Sequence, residues 1–317
     1  MKRIIASVLF PLAATVALAQ EFPAKTITFV VPFAAGSATD VLARSVGQAV
    51  SAETKQAVVI DNKPGASGMI AAQFVAKAPP DGYTVLITTN TTHAANEHLY
   101  KKLSYDPVKD YAPLTGLGKG GQVMVVRNDL PVKSVAEFIA FARKSPGKIN
   151  FGSGSSSSRI AGELLQQMAG IELLHVPYKS NPLAIADMLG GTIDMMITDT
   201  TTGLPQVQAG KLRALGYSGD KRSRLAPDLP TISEAGVKGY EMTYWFAAYA
   251  PAGTPPATVK RLNALLVAAT KSAPVTAFYE KTGVDAFTTT PEELGRFQLA
   301  ETKKWGEIIR KANIQPE

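Results

Sequence analysis

Cysteine is absent from the 317 residues. That excludes disulfide frameworks, thiolate metal sites, thiol nucleophiles and a lipid-modified N-terminal cysteine, so the chain is not a lipoprotein. Histidine is scarce: His93, His98 and His175 leave little material for a metal centre, and neither a metal nor another cofactor is expected. Charge is sparse too, at 19% of residues against 45% hydrophobic, which argues against wholesale disorder. A chain of this length has cores enough for about two domains. The net charge of +7 is dispersed, and its densest run, Lys221-Arg222-Ser223-Arg224, carries no interleaved aromatics. It reads as a solvated turn and not as a nucleic-acid patch.

Part of that positive charge belongs to the first residues. Met1-Lys2-Arg3 is a short basic stretch, Ile4 to Leu18 is apolar apart from Ser7, Pro11 and Thr15, and Ala17-Leu18-Ala19 has small residues at both ends. This pattern predicts a secretory signal peptide over residues 1–19, cut after Ala19, and not a retained anchor helix. No later stretch approaches the length of a membrane span. The expected mature protein is exported and soluble.

Short β-rich runs then alternate with helical patterns, the mark of an α/β chain with mostly parallel sheets. Strands are expected at Thr26 to Val31, Val58 to Ile60 and Thr84 to Thr88, with helices at Ala38 to Val50 and about Ser67 to Lys77. Tyr105 to Tyr111 reads as a loop. A second series has strands at Val123 to Val126, Asn150 to Gly152, Leu173 to Val176, Ile193 to Ile197 and Leu212 to Tyr217. Its helices run from Ser134 to Lys144 and from Arg159 to Ala169. Tyr244 to Tyr249 is a returning strand, and the tail is helical from Pro256, Pro274 and Pro291. Crossings near Gly118 to Gly121 and near Trp245 divide the chain into lobe 1 (residues 20–119 plus 247–317) and lobe 2 (120–246). Two connections suit a hinge that closes lobes on a ligand.

Three loops share one device. Pro32 to Asp40, Asn62 to Gly68 and Gly152 to Arg159 each join a strand to a helix through glycine and small hydroxyl residues. Each aims backbone N–H groups at a helix N-terminus, where anions are favoured. Open α/β folds bind ligands at that end of the sheet. Together the loops point to a carboxylate-sized anion cleft.

Other motifs fail inspection. Gly116-Leu117-Gly118-Lys119-Gly120-Gly121 fits a dinucleotide fingerprint but opens into a strand, not a helix, and reads as a hinge linker. No nucleophile elbow occurs. His175 lies in an apolar strand, as a satisfied core histidine would. The competing class is a secreted hydrolase or transferase with a nucleophile among Ser155 to Ser158 and His93 as base, which would need the two within hydrogen-bond reach.

Pro32-Phe33-Ala34-Ala35-Gly36-Ser37-Ala38-Thr39-Asp40 and Asn62-Lys63-Pro64-Gly65-Ala66-Ser67-Gly68 resemble the substrate-binding proteins of tripartite tricarboxylate transporters, the Bug family. So do Lys77 to Tyr83, Tyr105 to Tyr111, His175-Val176-Pro177-Tyr178-Lys179, Gly210 to Leu215 and Ala250 to Pro255, in family order over essentially the whole mature chain. The resemblance implies a periplasmic, two-lobed binding protein of type II, a Venus flytrap with a mixed, mostly parallel sheet in each lobe. It would be a monomer without catalysis, handing a small carboxylate to membrane permease subunits, with no nucleic-acid partner. It places one ligand carboxylate, partly through waters, against Phe33, Gly36, Ser37, Ala38, Asp40, Ala66, Ser67 and Gly68. Asp40 would cap its helix and fix waters, because like charges repel. Thr89 and Thr91 add donors from a loop facing the same cleft. Ser155, Ser156, Ser157, Ser158 and Tyr178 would hold the distal end, with Asp199 and Thr200 along the wall.

Two departures from the family pattern stand out. Arg159 occupies the place where the family usually has histidine, and Tyr178-Lys179-Ser180 replaces its Tyr-Lys-Gly. A guanidinium can grip a second carboxylate bidentately, which suggests a dicarboxylate; Arg159 could instead face solvent or pair with Glu163. Phe33, Met195, Met196 and Tyr178 could flank an aromatic, terephthalate-like diacid, while the Ser and Thr density suits a C4–C6 aliphatic one. Asp199 could meet a ligand amino group or cap the following turn.

Overall fold

The computed structural model describes residues 22–316. The signal peptide expected over residues 1–19 lies outside the described residues. A first series runs β1 (Ile27–Val31), α1 (Ala38–Thr54), β2 (Val58–Asn62), a 3-10 turn (Ala66–Gly68), α2 (Met69–Ala76), β3 (Thr84–Thr89), a π turn (Thr91–Ala95) and α3 (Asn96–Leu99). A second comprises β4 (Tyr111–Arg127), α4 (Val135–Arg143), β5 (Asn150–Ser153), α5 (Ser156–Ala169), β6 (Leu174–Pro177), α6 (Asn181–Leu189), β7 (Met195–Asp199), α7 (Thr200–Gln208) and β8 (Leu212–Tyr217). The chain returns through β9 (Thr243–Pro251) and ends in α8 (Pro256–Ala269), α9 (Ala273–Thr282) and α10 (Pro291–Lys311).

The strands form two half-sheets of identical order. In the first, β2-β1-β3 pair in parallel and β9 then runs antiparallel between β3 and β4. In the second, β6-β5-β7 pair in parallel and β4 runs antiparallel between β7 and β8. The first half-sheet therefore takes in β9 and the first part of β4 from later in the chain, and the two half-sheets repeat a topology without a repeat of sequence. The antiparallel pairings all involve those two crossing strands, β4 and β9. Cores form on the faces of both half-sheets: α1 lays Leu42, Val46 and Val50 on Phe29 and Val31, while Phe151, Ile160 and Leu164 pack the second. Burying each such side chain stabilises by about 1.5–3 kcal/mol.

The glycine run from Gly116 to Gly121 is not a linker. It lies inside β4, whose residues 111–121 pair with β9 and whose residues 122–127 pair with β7 or β8. The glycines answer to packing: a Cβ on Gly116 would lie 2.5 Å from the Phe287 ring, and one on Gly121 would lie 2.6 Å from the Tyr217 ring. The absence of side chains leaves room for these rings against the crossing strand. Tyr111, read as loop, is the first residue of that strand. Met195 and Met196 are fully buried in the second half-sheet.

Candidate functional site

Helices α1 and α5 begin at the C-terminal ends of β1 and β5, and both are capped by serine. Ser37 Oγ accepts from Asp40 N at 3.3 Å, and Ser155 Oγ accepts from Ser158 N at 3.2 Å. Each cap uses one first-turn N–H and leaves the others, at Ala38 and Thr39 and at Ser156 and Ser157, without an acceptor inside their own helix. Helix dipoles add partial positive charge at both places.

Beside the start of α5 lies a cavity of about 360 Å³. One side is Phe33, the Gly65–Gly68 turn, Leu99 and Tyr100; the other is Ser153 to Ser156, Arg159, His175 and Pro177 to Lys179. A smaller pocket of about 40 Å³ adjoins it and shares Phe33, Gly154 and Ser155. Ser37, Ala38, Thr39, Thr89, Gln122, Ser157, Asn181, Asp199, Tyr244 and Phe246 complete its lining. The large cavity has Arg159, His175 and Lys179 in its wall and neither Asp nor Glu, so its field favours an anion.

The Gly65–Gly68 turn is unusual backbone. Four consecutive residues hold positive φ: Gly65 at 122°, Ala66 at 46°, Ser67 at 48° and Gly68 at 81°. The two non-glycine residues store strain, at about 1–3 kcal/mol each, where the chain wraps the cavity. Asn96 stabilises the turn by donating from Nδ2 to Ser67 O (2.9 Å), and its Oδ1 accepts from Ser156 Oγ across the cleft (3.1 Å). Ser67 Oγ lies 2.7 Å from Tyr100 Oη.

Most of the residues singled out from sequence meet here: Phe33, Ser37, Ala38, Ala66, Ser67, Gly68, Thr89, Ser155, Ser156, Ser157, Arg159, Tyr178 and Asp199 line one pocket or the other. Gly36, Asp40, Thr91, Ser158 and Thr200 do not. Asp40 caps no helix end with its carboxylate. That group accepts from Gly36 N (2.9 Å), Asn62 Nδ2 (2.9 Å) and Arg44 (2.9 and 3.0 Å), so it braces the loop from behind. Burial would raise its pKa, but those hydrogen bonds and the Arg44 charge outweigh it and hold the carboxyl below its usual range. Gly36 N–H is thereby consumed. Ser158 Oγ donates to Ile197 O, Thr200 Oγ1 donates to Thr282 O, and Thr91 is fully buried.

Four further residues take definite places. His175 lies not in the core but on edge strand β6, half-buried, with Nε2 at 2.7 Å from Ser153 Oγ and its ring against Phe151. Tyr178 contributes its ring, because its hydroxyl donates to Asp187 Oδ2 at 2.8 Å. Asp199 caps α7, accepting from Thr202 N at 2.8 Å. His93 is fully buried, stacked at 3.9 Å on Tyr249, and burial pushes its pKa down to about 3. Its Nδ1 sits against Thr92 Oγ1, not against a serine of the cleft. Sequence reasoning missed Gln122 and Tyr244, which the crossing strands β4 and β9 bring to the cleft, and Asn181 at the start of α6. Lys179 stood within a quoted motif and could have been found.

Two half-sheets of like order, joined by crossing strands around a cleft of helix N-termini, define a two-lobed solute receptor. The tripartite tricarboxylate transporter family receptor matches residues 42–314, and the chain belongs to that family. It is similar to an R. palustris protein solved with adipate, at 36% identity and TM-score 0.91, covering 94% of this chain and 100% of that one. It is also similar to the periplasmic binding protein BugD, at 31% identity and TM-score 0.89 over 93% of this chain and 100% of BugD. MatC from Rhodopseudomonas palustris, solved with bound malate, is 29% identical with TM-score 0.86, covering 91% and 100%. The chain is accordingly a periplasmic solute receptor and not an enzyme.

Proposed function

We propose that the protein captures a small aliphatic dicarboxylate between its lobes and delivers it to the membrane permease subunits of a tripartite tricarboxylate transporter. It does so as a monomer after cleavage at Ala19, with residues 20–119 plus 247–317 closing on residues 120–246. The observation that carries this reading is a pair of adjoining pockets that share Phe33, Gly154 and Ser155: the inner one is faced by the N-termini of α1 and α5, and the outer one carries Arg159 and Lys179. The inner donors take one carboxylate; the guanidinium takes the second, with Glu163 behind it. Burial raises the pKa of Glu163, and the charge of Arg159 pulls it back. The adipate and malate in the solved relatives support ligands of this length and charge. An aromatic diacid loses two of its flanks, because Met195 and Met196 are in the core.

Closure desolvates the carboxylates, and differential affinity for the closed state drives it. Affinity near micromolar, about 8 kcal/mol, suits uptake. Titration calorimetry with C4 to C6 diacids, terephthalate and the matching monoacids tests the reading. Arg159→Ala is expected to weaken diacid binding at least tenfold and monoacid binding less than threefold. Equal losses would count against the distal clamp; no heat from any diacid would overturn the function.

A further inference from the structure

The 40 Å³ pocket beside the main cavity has two walls of opposite polarity. One wall is the helix starts at Ser37 to Thr39 and Ser155 to Ser157, which favour an anion. The other is Gln122 and Asp199, direct partners in the antiparallel β4–β7 register, whose side chains therefore share a face about 5 Å apart. Gln122 is 1% exposed, and its Nε2 donates to Ile197 O at 3.3 Å. That carbonyl can only accept, which fixes the amide orientation and turns Oε1 the other way. Oε1 is buried and has no hydrogen-bond partner among the described residues. Asp199 is 7% exposed; its carboxylate accepts from Asn181 Nδ2, Thr202 N and Thr202 Oγ1, each at 2.8 Å, and from Thr198 Oγ1 at 3.5 Å. All four donors are neutral, and the pocket lining contains no Lys, Arg or His.

A plain dicarboxylate answers only the first wall. Its methylene would leave Gln122 Oε1 unpaired and Asp199 without a countercharge. A carboxylate with a hydrogen-bond donor on the adjacent carbon answers both. We infer that the inner pocket is a donor subsite, and that the ligand is a dicarboxylate bearing a 2-amino or 2-hydroxy group beside its inner carboxylate. This rests on the dicarboxylate reading above and narrows it. A water held in the pocket would satisfy the same acceptors for every ligand alike, and so predicts no preference.

The test is calorimetry on the mature protein with matched sets at each length: succinate, malate and aspartate; glutarate, 2-hydroxyglutarate and glutamate; adipate, 2-hydroxyadipate and 2-aminoadipate. Within the best-bound length, at least one donor-bearing acid is expected to bind tenfold or more tightly than the plain one. Gln122→Met is expected to shrink that preference to threefold or less. Asp199→Asn, which keeps the cap shape, is expected to weaken the amino acid more than the hydroxy acid. Circular dichroism melting identifies any variant that fails to fold, and the unmodified protein's preferences decide the matter without it. Equal affinity for plain and donor-bearing acids overturns the donor subsite and leaves the receptor intact. Binding of none of the nine overturns the dicarboxylate reading itself.

Discussion

Gly68→Ala and Gly36→Ala separate strain from crowding within one cleft. Both glycines hold left-handed backbone, Gly68 at φ 81° and Gly36 at φ 82°. Either alanine costs about 1–2 kcal/mol for that conformation. The surroundings differ: a Cβ on Gly36 meets nothing within 4 Å, whereas one on Gly68 would lie 2.8 Å from Thr92 Cγ2 and 2.9 Å from Pro32 Cβ. Both neighbours are held in place, Thr92 fully buried and Pro32 by its ring, so Gly68→Ala carries a further overpacking cost of about 1–3 kcal/mol. At roughly 2 °C per kcal/mol for a chain of this size, thermal melting by circular dichroism should fall about 2–4 °C for Gly36→Ala and about 4–10 °C for Gly68→Ala. Gly68 also ends the turn that carries Ser67, so its alanine should weaken dicarboxylate binding at least tenfold while Gly36→Ala stays within threefold. Equal losses of melting temperature would refute the steric part of this reasoning; intact affinity in Gly68→Ala would refute the role of the turn.

Asp40 has a folded pKa below its unfolded value, so its stabilisation is complete above about pH 4 and is lost as pH falls through the lower folded value. Asp40→Asn should therefore destabilise at pH 7 and narrow the difference between melting at pH 7 and pH 3. His93 titrates at about 3 when folded, against an unfolded value near 6.5. Its contribution is complete above pH 6.5 and is lost progressively as the unfolded chain takes up the proton between there and pH 3. His93→Phe, which keeps the stacking on Tyr249, should flatten urea stability between pH 6.5 and pH 4; an unchanged slope would mean another group is responsible. Tyr178→Phe should leave ligand affinity within threefold, because the hydroxyl serves Asp187, whereas Tyr178→Ala should cost tenfold through loss of the ring.

The elements that sequence located well are those whose causes are local. Ser37, Ser134, Ser155 and Thr290 announce helices because each accepts a hydrogen bond from three residues on. The β-branched runs of β1, β2 and β3 likewise read as strands without tertiary help. Gly116 to Gly121 misled because glycine weakens a strand by itself, and only Phe287 and Tyr217, both more than ninety residues away, explain why it is there. The π turn at Thr91–Ala95 has no local signature either. The cleft followed the same division. Its capped loops were visible, and Arg159 was found as a departure from a family pattern. His175 hid in an apolar run, since strand sequence does not reveal an edge, and Gln122 reaches the site only because β4 crosses between half-sheets.

The most direct measurement is a crystal structure of the mature protein with its tightest-binding dicarboxylate. One carboxylate is expected between Ser37 to Thr39 and Ser155 to Ser157, and the other within hydrogen-bond reach of the Arg159 guanidinium. A ligand seated elsewhere, or both acid groups held by one lobe alone, would contradict capture between opposing helix ends.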